Sequence, residues 1–164
     1  MSEWFESYGL AEVDTGLLLG AVPLDHADVA VIDGHGVRYV LNLVEDREYA
    51  PGQRSDVELD YEVAEIVEAR FSTIDYGGLS PNLLEAASDQ VLSWLQQGAV
   101  VYLHCRAGWQ RSATLAGAVL ARRYGLEPEA ALELIKSRRP TADPLPHQRA
   151  DLNAWWINRG ALAS

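Results

Sequence analysis

One short stretch of the sequence combines a nucleophile with a cation at a fixed spacing: His104 to Ser112, with the sequence HCRAGWQRS. Cys105 is the chain's single cysteine, so it cannot form an intrachain disulfide. Arg111 follows it six positions later, and a planar guanidinium can hold two oxygens of a phosphoryl group at once. A thiolate beside such a cation can attack phosphorus. The alternative for a lone cysteine is an inert core residue, since free cysteine is among the most buried residue types.

This stretch is predicted to form a phosphate-binding loop, because a predicted strand precedes it and a predicted helix follows it. Residues 99–103 are a short apolar run, typical of a central parallel strand. A helix is predicted from about Ser112 to Tyr124, and a helix N-terminus offers unpaired N–H groups and partial positive charge to a phosphate. Gly108 allows the tight curve because glycine tolerates positive φ. The same charges favour the thiolate form of Cys105.

The other residues of the stretch have supporting roles, some of which the sequence leaves open. The Ser112 hydroxyl is placed to hydrogen-bond the thiolate and help it leave. His104 is expected to orient the loop rather than touch substrate. Arg106 either binds a second phosphate or is solvated, and Trp109 either forms a wall of the entrance or covers the loop. The residues assigned to substrate binding are Arg106, Ala107, Gly108, Trp109 and Gln110.

A general acid is also required, because the leaving oxygen of a phosphate ester needs a proton. A positioned proton donor typically contributes about 10²–10⁴-fold to the rate. Asp75 is the best candidate, since it lies 30 residues before the cysteine in a segment, 71–81, whose glycines and proline predict an exposed, mobile loop. The acidic cluster Glu45, Asp46 and Glu48, which follows an earlier predicted strand, competes for this role.

Predicted strands and helices alternate along the chain, which indicates an α/β sheet with helices on both faces. Besides the strand before the cysteine, strands are predicted at 16–22, 37–44 and 59–66, and helices at 25–35, 82–97, 128–136 and 147–158. The polar segment 45–58 contains Pro51 and Gly52 and is predicted to be a surface loop. We expect one domain, residues 1–164, with a central, mostly parallel sheet of four to five strands.

Charge is distributed unevenly over this 164-residue chain, whose net charge is −11. Residues 1–100 carry 19 acidic residues and 4 arginines, whereas residues 101–164 carry 9 basic and 5 acidic residues. The basic third is either a solvated surface or a region that attracts anions. An acidic chain argues against a broad nucleic-acid surface.

Length and hydropathy also restrict the class of protein. The chain is long enough for one hydrophobic core. No apolar run approaches the roughly 20 residues that span a bilayer, and the acidic start lacks the basic region of a signal peptide. We therefore expect a cytoplasmic protein, and we expect it to be a monomer.

The cysteine segment resembles the His-Cys-x5-Arg-Ser signature of the cysteine-dependent protein tyrosine phosphatase superfamily. The likeness to its dual-specificity phosphatases covers nearly the whole chain: residues 16–44 resemble their opening strand, helix and strand, Ile74-Asp75 their general-acid loop, and Arg138-Arg139-Pro140 with Leu152 and Trp155 their C-terminal end. The resemblance implies a protein tyrosine phosphatase-like fold.

The resemblance also implies a two-step mechanism that needs no metal or cofactor. Cys105 attacks phosphorus while Asp75 protonates the leaving oxygen, and water then hydrolyses the cysteinyl-phosphate with Asp75 as base. Arg111 and the loop N–H groups stabilise the phosphoryl oxygens. Gln148 corresponds to glutamines that position the water in some relatives. The expected substrate is phosphotyrosine, and the short loop 76–80 predicts a shallow site that does not exclude phosphoserine or phosphothreonine.

Two alternatives stay open at this point. One is a phosphatase of a non-protein ester, such as a phosphoinositide or a phosphosugar, although the loop lacks the lysines that phosphoinositide phosphatases often carry there. The other is a phosphate-binding module without turnover. Such pseudophosphatases usually lack the cysteine, the arginine or the acid, and this chain has candidates for all three.

Overall fold

A five-stranded, mostly parallel sheet forms the centre of the computed structural model, which describes residues 1–163. The strands lie in the order β1-β2-β5-β3-β4. Their bounds are β1 Leu10–Asp14, β2 Leu17–Gly20, β3 Val37–Asn42, β4 Val67–Arg70 and β5 Val100–His104. Strand β1 pairs antiparallel with β2, and the remaining pairs are parallel. The predicted sheet is therefore confirmed.

Helices cover both faces of the sheet. Their bounds are α1 Glu3–Tyr8, α2 His26–Gly34, α3 Gln53–Val63, α4 Pro81–Gln96, α5 Arg111–Tyr124, α6 Pro128–Arg138 and α7 Pro146–Ala163. Helices α1 to α3 pack on one face around Phe5 and Ile32. The other four pack on the opposite face around Leu84 and Leu115. Within the part of the chain that the structure describes, no helix combines the length and apolar character needed to cross a membrane.

Several helix boundaries follow from local sequence signals. Asp25 precedes α2 and accepts a hydrogen bond from the backbone N–H of Asp28 at 2.8 Å. Ser80 caps α4 in the same way, with Pro81 in the first turn. Gly125 adopts a left-handed conformation and ends α5. These boundaries agree with the predicted ones to within a residue or two.

Residues 53–66 differ from the prediction, because helix α3 replaces the second half of the predicted loop and most of the predicted strand. Val57, Leu59, Tyr61 and Val63 recur at every second position, which mimics a strand. In the structure Val57 and Tyr61 lie four residues apart on one buried helix face, while Leu59 and Val63 are exposed. The strand follows as β4, and the sequence pattern also missed α1 and β1.

The sheet brings distant loops together at one edge. Strands β3, β4 and β5 are parallel, so the segments that follow them, 43–48, 71–80 and 105–110, leave from the same edge. In open α/β sheets, ligands bind outside the carboxyl ends of the strands. The segment predicted to carry the nucleophile and the one predicted to carry the acid therefore meet there.

Candidate active site

A tight loop, Cys105 to Gln110, joins buried strand β5 to helix α5, which begins at Arg111. Gly108 has a φ of 74°, a conformation that glycine adopts without steric cost. A Cβ atom there would lie 2.5 Å from the carbonyl carbon and oxygen of Gly20. The loop therefore reaches its curvature only with glycine at this position.

Every carbonyl of this loop accepts a hydrogen bond from the surrounding protein. The Cys105 carbonyl accepts from His104 Nδ1, and the Arg106 carbonyl accepts from Val22 N and Trp4 Nε1. The carbonyls of Ala107 and Gly108 accept from Arg139 Nη2 and Nε, respectively. Those of Trp109 and Gln110 accept from Asp143 N and Thr114 Oγ1, respectively. In a trans peptide the N–H points opposite to the carbonyl, so the N–H groups of residues 106–111 point to the concave side. Those of residues 106–110 have no acceptor within residues 1–163, and they are available to phosphoryl oxygens.

Arg139 is the main support of the loop, a role that the sequence analysis did not assign. Its buried guanidinium donates to the carbonyls of Ala107 at 2.9 Å, Gly108 at 3.0 Å and Tyr8 at 2.8 Å. Burial lowers the pKa of Arg139 from its usual value. The only sequence signal for this residue was its place in the Arg-Arg-Pro run at the end of α6.

Cys105 lies at the base of the loop with its thiol beside the first turn of α5. The sulfur is 3.1 Å from the Ser112 hydroxyl oxygen, which is the contact expected for these two residues. Cys105 is 3% exposed and Ser112 is buried. The thiol therefore reaches solvent only through the loop opening.

His104 is fully buried at the end of β5 and contacts the backbone of the loop. Its Nδ1–H donates to the carbonyl of Cys105 at 3.0 Å. Its Nε2 has no hydrogen-bond partner among residues 1–163. Burial lowers the pKa of His104 to about 3, so the ring is neutral and needs no counter-ion. This placement agrees with the orienting role expected for it.

Arg111 brings the phosphate loop and the Asp75 loop together. The guanidinium Nη2 lies 3.1 Å from Asp75 Oδ1, and Nη1 donates to the Thr73 carbonyl at 2.9 Å. Arg111 is 1% exposed, whereas the Asp75 side chain is 33% exposed. The predicted acid is thus adjacent to the predicted phosphate ligand and remains open to a substrate.

The competing acidic cluster binds arginines instead of facing the thiol. Glu48 accepts two hydrogen bonds from Arg111, at 2.7 Å and 3.0 Å, and Asp46 pairs with Arg70. Burial alone would raise the pKa of Glu48, but the hydrogen bonds from Arg111 and the Glu45 backbone and the nearby guanidinium charges hold it below its ordinary value. Glu48 is therefore an ionised partner of Arg111, which favours Asp75 as the proton donor.

The loop opens into a pocket of about 190 Å³. Its lining consists of Trp4, Asp75, Tyr76, Cys105, Arg106, Ala107, Trp109, Gln110 and Arg111. Trp109 meets the Tyr8 ring edge-on at 5.1 Å and forms a wall of the entrance, one of its two expected roles. Trp4 and Tyr76 were not assigned to the site from sequence, because α1 was not predicted and Tyr76 was seen only as part of a loop.

Arg106 lies at the rim of this pocket with a fixed orientation. Its guanidinium carbon is 4.6 Å from the centre of the Trp4 ring, and Nη1 donates to the Glu48 carbonyl at 2.6 Å. Within residues 1–163 it forms no ion pair with a carboxylate. Its positive charge is therefore available at the pocket.

Comparison with known proteins identifies the family. A family model described as the catalytic domain of dual specificity phosphatases matches residues 19–157. This chain belongs to the dual specificity phosphatase family. It is 32% identical over 138 residues to phosphatidylglycerophosphatase and protein-tyrosine phosphatase 1 of Mus musculus, over 83% of this chain and 70% of that protein. It is 26% identical over 132 residues to dual specificity protein phosphatase 1 of Arabidopsis thaliana, over 80% of this chain and 61% of that protein.

A solved structure also resembles this dual specificity phosphatase closely. The crystal structure of PTPMT1 in complex with PI(5)P matches with a TM-score of 0.82 and 27% identity, over 94% of this chain and 99% of that chain. The match supports the assignment of the protein tyrosine phosphatase-like fold.

Gln148 does not line the pocket of the phosphatase. It is fully buried, and its Nε2 donates to the Gly77 carbonyl at 2.9 Å, while its Oε1 accepts from the Leu145 N–H at 2.9 Å. Its two hydrogen bonds therefore go to Leu145 and to the loop that follows Asp75, and neither faces the pocket.

Proposed function

We propose that this phosphatase hydrolyses phosphate monoesters with Cys105 as its nucleophile. The observation that carries the proposal is the convergence of three groups on one thiol. The loop N–H groups point to the concave side, the Arg111 guanidinium borders it, and the Asp75 carboxylate lies 3.1 Å from that guanidinium. Together these groups bind a phosphoryl group, neutralise its charge and supply a proton.

In the first step the sulfur of Cys105 forms a bond to phosphorus, and the bond from phosphorus to the ester oxygen breaks. Asp75 transfers its proton to the departing oxygen, so the first product leaves as a neutral alcohol or phenol. Arg111 and the loop N–H groups hold the equatorial oxygens. The result is a cysteinyl-phosphate and an ionised Asp75.

In the second step a water molecule attacks phosphorus, and the sulfur–phosphorus bond breaks. Asp75, now ionised, accepts a proton from the water. The Ser112 hydroxyl, 3.1 Å from the sulfur, donates a hydrogen bond to the departing thiolate. Inorganic phosphate leaves, and the starting protonation state of Asp75 is restored.

Phosphotyrosine is the first candidate substrate. The pocket is bordered by the side chains of Trp4, Tyr76 and Trp109, which suit a flat aromatic ring. One relative is named both as a phosphatidylglycerophosphatase and as a protein-tyrosine phosphatase, so this part of the family includes a phosphotyrosine activity.

A phosphoester of a lipid or sugar is the second candidate, and Arg106 is the observation that favours it. Its guanidinium borders the pocket without a carboxylate partner in the described chain, so it suits a substrate with a second anionic group. The PTPMT1 structure contains PI(5)P. We propose that the same site accepts this class of ester.

Turnover is tested with p-nitrophenyl phosphate in the presence of EDTA, using wild type, Cys105→Ser and Asp75→Asn. We expect wild-type turnover, none in Cys105→Ser, and a loss of about 10²-fold or more in Asp75→Asn with a weaker dependence on pH. An inactive wild type that still binds tungstate would favour a phosphate-binding module.

Substrate class is tested by comparing kcat/KM for a phosphotyrosine peptide with that for a soluble short-chain phosphatidylinositol 5-phosphate. Arg106→Gln should reduce activity on the second substrate selectively if Arg106 binds a second anionic group. Equal losses on both substrates would contradict that role for Arg106.

The cytoplasmic location, the monomeric state and the lack of nucleic-acid binding stay predictions from the sequence. Gel filtration of the purified chain tests the monomeric state directly.

A further inference from the structure

The loop that carries Asp75 is attached to the first two turns of α7. His147 Nε2–H donates to the Tyr76 carbonyl at 2.8 Å, and Gln148 Nε2 donates to the Gly77 carbonyl at 2.9 Å. The Leu79 N–H donates to Asp151 Oδ2 at 2.9 Å. Between Tyr76 and Leu79, every backbone hydrogen bond from the loop to a distant part of the described chain goes to α7.

Tyr76, which directly follows Asp75, needs this support. Its φ is 64°, a conformation that non-glycine residues adopt rarely and keep only when the surroundings hold them there. The Tyr76 side chain is 65% exposed, so its own packing does little to fix the backbone. The Tyr76 N–H donates to Asp75 Oδ1 at 3.1 Å, and the Tyr76 carbonyl accepts from His147. The backbone of Tyr76 therefore links the orientation of Asp75 to the contact with His147.

Two of the partners on α7, Gln148 and Asp151, pack directly against the loop. Gln148 is fully buried, and its side-chain oxygen accepts from Leu145, which leaves the amide nitrogen directed at the loop. Asp151 lies close to the loop backbone, since a Cβ atom on Gly78 would be 2.5 Å from Asp151 Oδ2. The loop thus fits against α7 without space between them.

We propose that His147, Gln148 and Asp151 are positioning residues that hold the Asp75 loop where its carboxyl group can protonate the leaving oxygen. The inference rests on the proposed function, because it assigns these residues an effect only through Asp75. Helix α7 thus supports proton transfer by holding the loop of the acid, although none of the three residues lines the pocket.

The test compares a substrate with a poor leaving group, phenyl phosphate, with one that needs less protonation, p-nitrophenyl phosphate. The variant is His147→Phe with Asp151→Leu, which removes a donor and an acceptor. Its matched control is His147→Gln with Asp151→Asn, which keeps an N–H donor and an oxygen acceptor. We expect the variant to lose at least about 10-fold in kcat/KM on phenyl phosphate, from the roughly 10²–10⁴-fold that a general acid contributes. The ratio kcat/KM reports the first step, in which Asp75 protonates the leaving oxygen, and excludes the second step that both substrates share.

The loss on p-nitrophenyl phosphate should be several times smaller, and the control should keep the wild-type ratio between the two substrates. In an Asp75→Asn background the same substitutions should cause no further loss, because residues that act only through Asp75 lose their effect without it. Equal losses on both substrates, or a loss that persists without Asp75, would overturn the proposal.

Two further measurements keep the outcome decisive. If circular dichroism shows that the double variant does not fold, His147→Phe alone decides, since this side chain is exposed and its replacement leaves the core intact. Wild type and Cys105→Ser are assayed in parallel. An inactive wild type would overturn the proposed function itself. If the wild type is active and depends on Cys105, but the variant keeps the wild-type ratio between the two substrates, only the role of α7 is overturned.

Discussion

Glu48 and Arg111 form a two-pronged ion pair directly beside the phosphate-binding loop, with oxygen–nitrogen distances of 2.7 Å and 3.0 Å. The same guanidinium contacts the Thr73 carbonyl and lies 3.1 Å from Asp75. The Arg111 side chain therefore connects the phosphate-binding loop 105–110, the segment 43–48 after β3 and the Asp75 loop. Its orientation in the absence of substrate depends on Glu48.

Glu48→Gln is expected to lower kcat/KM for p-nitrophenyl phosphate at least about tenfold, because a small misplacement of a group that positions the substrate can cost up to about 10²-fold in rate. The remaining amide holds Arg111 less firmly. Steady-state kinetics measure the loss, with Asp46→Asn as the control, since Asp46 is exposed and pairs with Arg70 instead. A Glu48→Gln enzyme as active as Asp46→Asn would contradict the role of this ion pair.

The Glu48–Arg111 pair should also make stability depend on pH in the acid range. Its surroundings hold the pKa of Glu48 below the ordinary value of 4.5. Glu48 therefore contributes its full stabilisation above about pH 4.5, and the contribution is lost as the pH falls through the lower pKa of the folded state. We expect the difference in Tm between wild type and Glu48→Gln to shrink between about pH 6 and about pH 3. A difference that stays constant over this range would contradict the assignment.

Gly108→Ala is expected to abolish phosphate binding and to lower stability well beyond the cost of its conformation. The added Cβ would lie 2.5 Å from the backbone of Gly20, so the loop must shift. Gly125→Ala is the matched control, because Gly125 has a φ of 65° but no atom within 4 Å of a Cβ. It should cost only about 1–2 kcal/mol, the penalty of the left-handed conformation.

Thermal unfolding and tungstate binding separate these two glycine variants. Equal effects of Gly108→Ala and Gly125→Ala on Tm would show that the close approach to Gly20 does not constrain the loop.

Arg139→Lys is expected to weaken tungstate binding and to lower Tm, although the charge is kept. An ammonium cannot reproduce the planar fork that reaches the carbonyls of Tyr8, Ala107 and Gly108. Each buried carbonyl left unpaired costs about 1–3 kcal/mol. The neighbouring Arg138→Lys, at an exposed position, serves as the control. If the two variants bind tungstate equally well, the loop does not depend on the Arg139 contacts.

The segment around the nucleophile could be predicted because its signals are local. A buried strand, a glycine-containing loop and a helix start follow one another within a few residues of Cys105 and Arg111. The caps of α2 and α4 are local in the same sense, since each depends on hydrogen bonds within one turn. The segment 53–66 could not be predicted this way. Its alternating apolar residues fit a strand. Only packing on the sheet face that α1 and α2 also cover selects the helix, which buries Val57 and Tyr61.

The reactive groups of this protein can be read from its linear sequence: a lone cysteine and an arginine at phosphatase spacing, and an aspartate on an upstream loop. The distant groups that support them are visible only in the folded chain. Glu48 pairs with Arg111, Arg139 holds the loop carbonyls, and α7 holds the Asp75 loop. These partners lie tens of residues apart, and no periodicity in the sequence encodes such contacts. They exist because parallel strands leave their loops at one edge of the sheet, where buried charges and carbonyls must find partners.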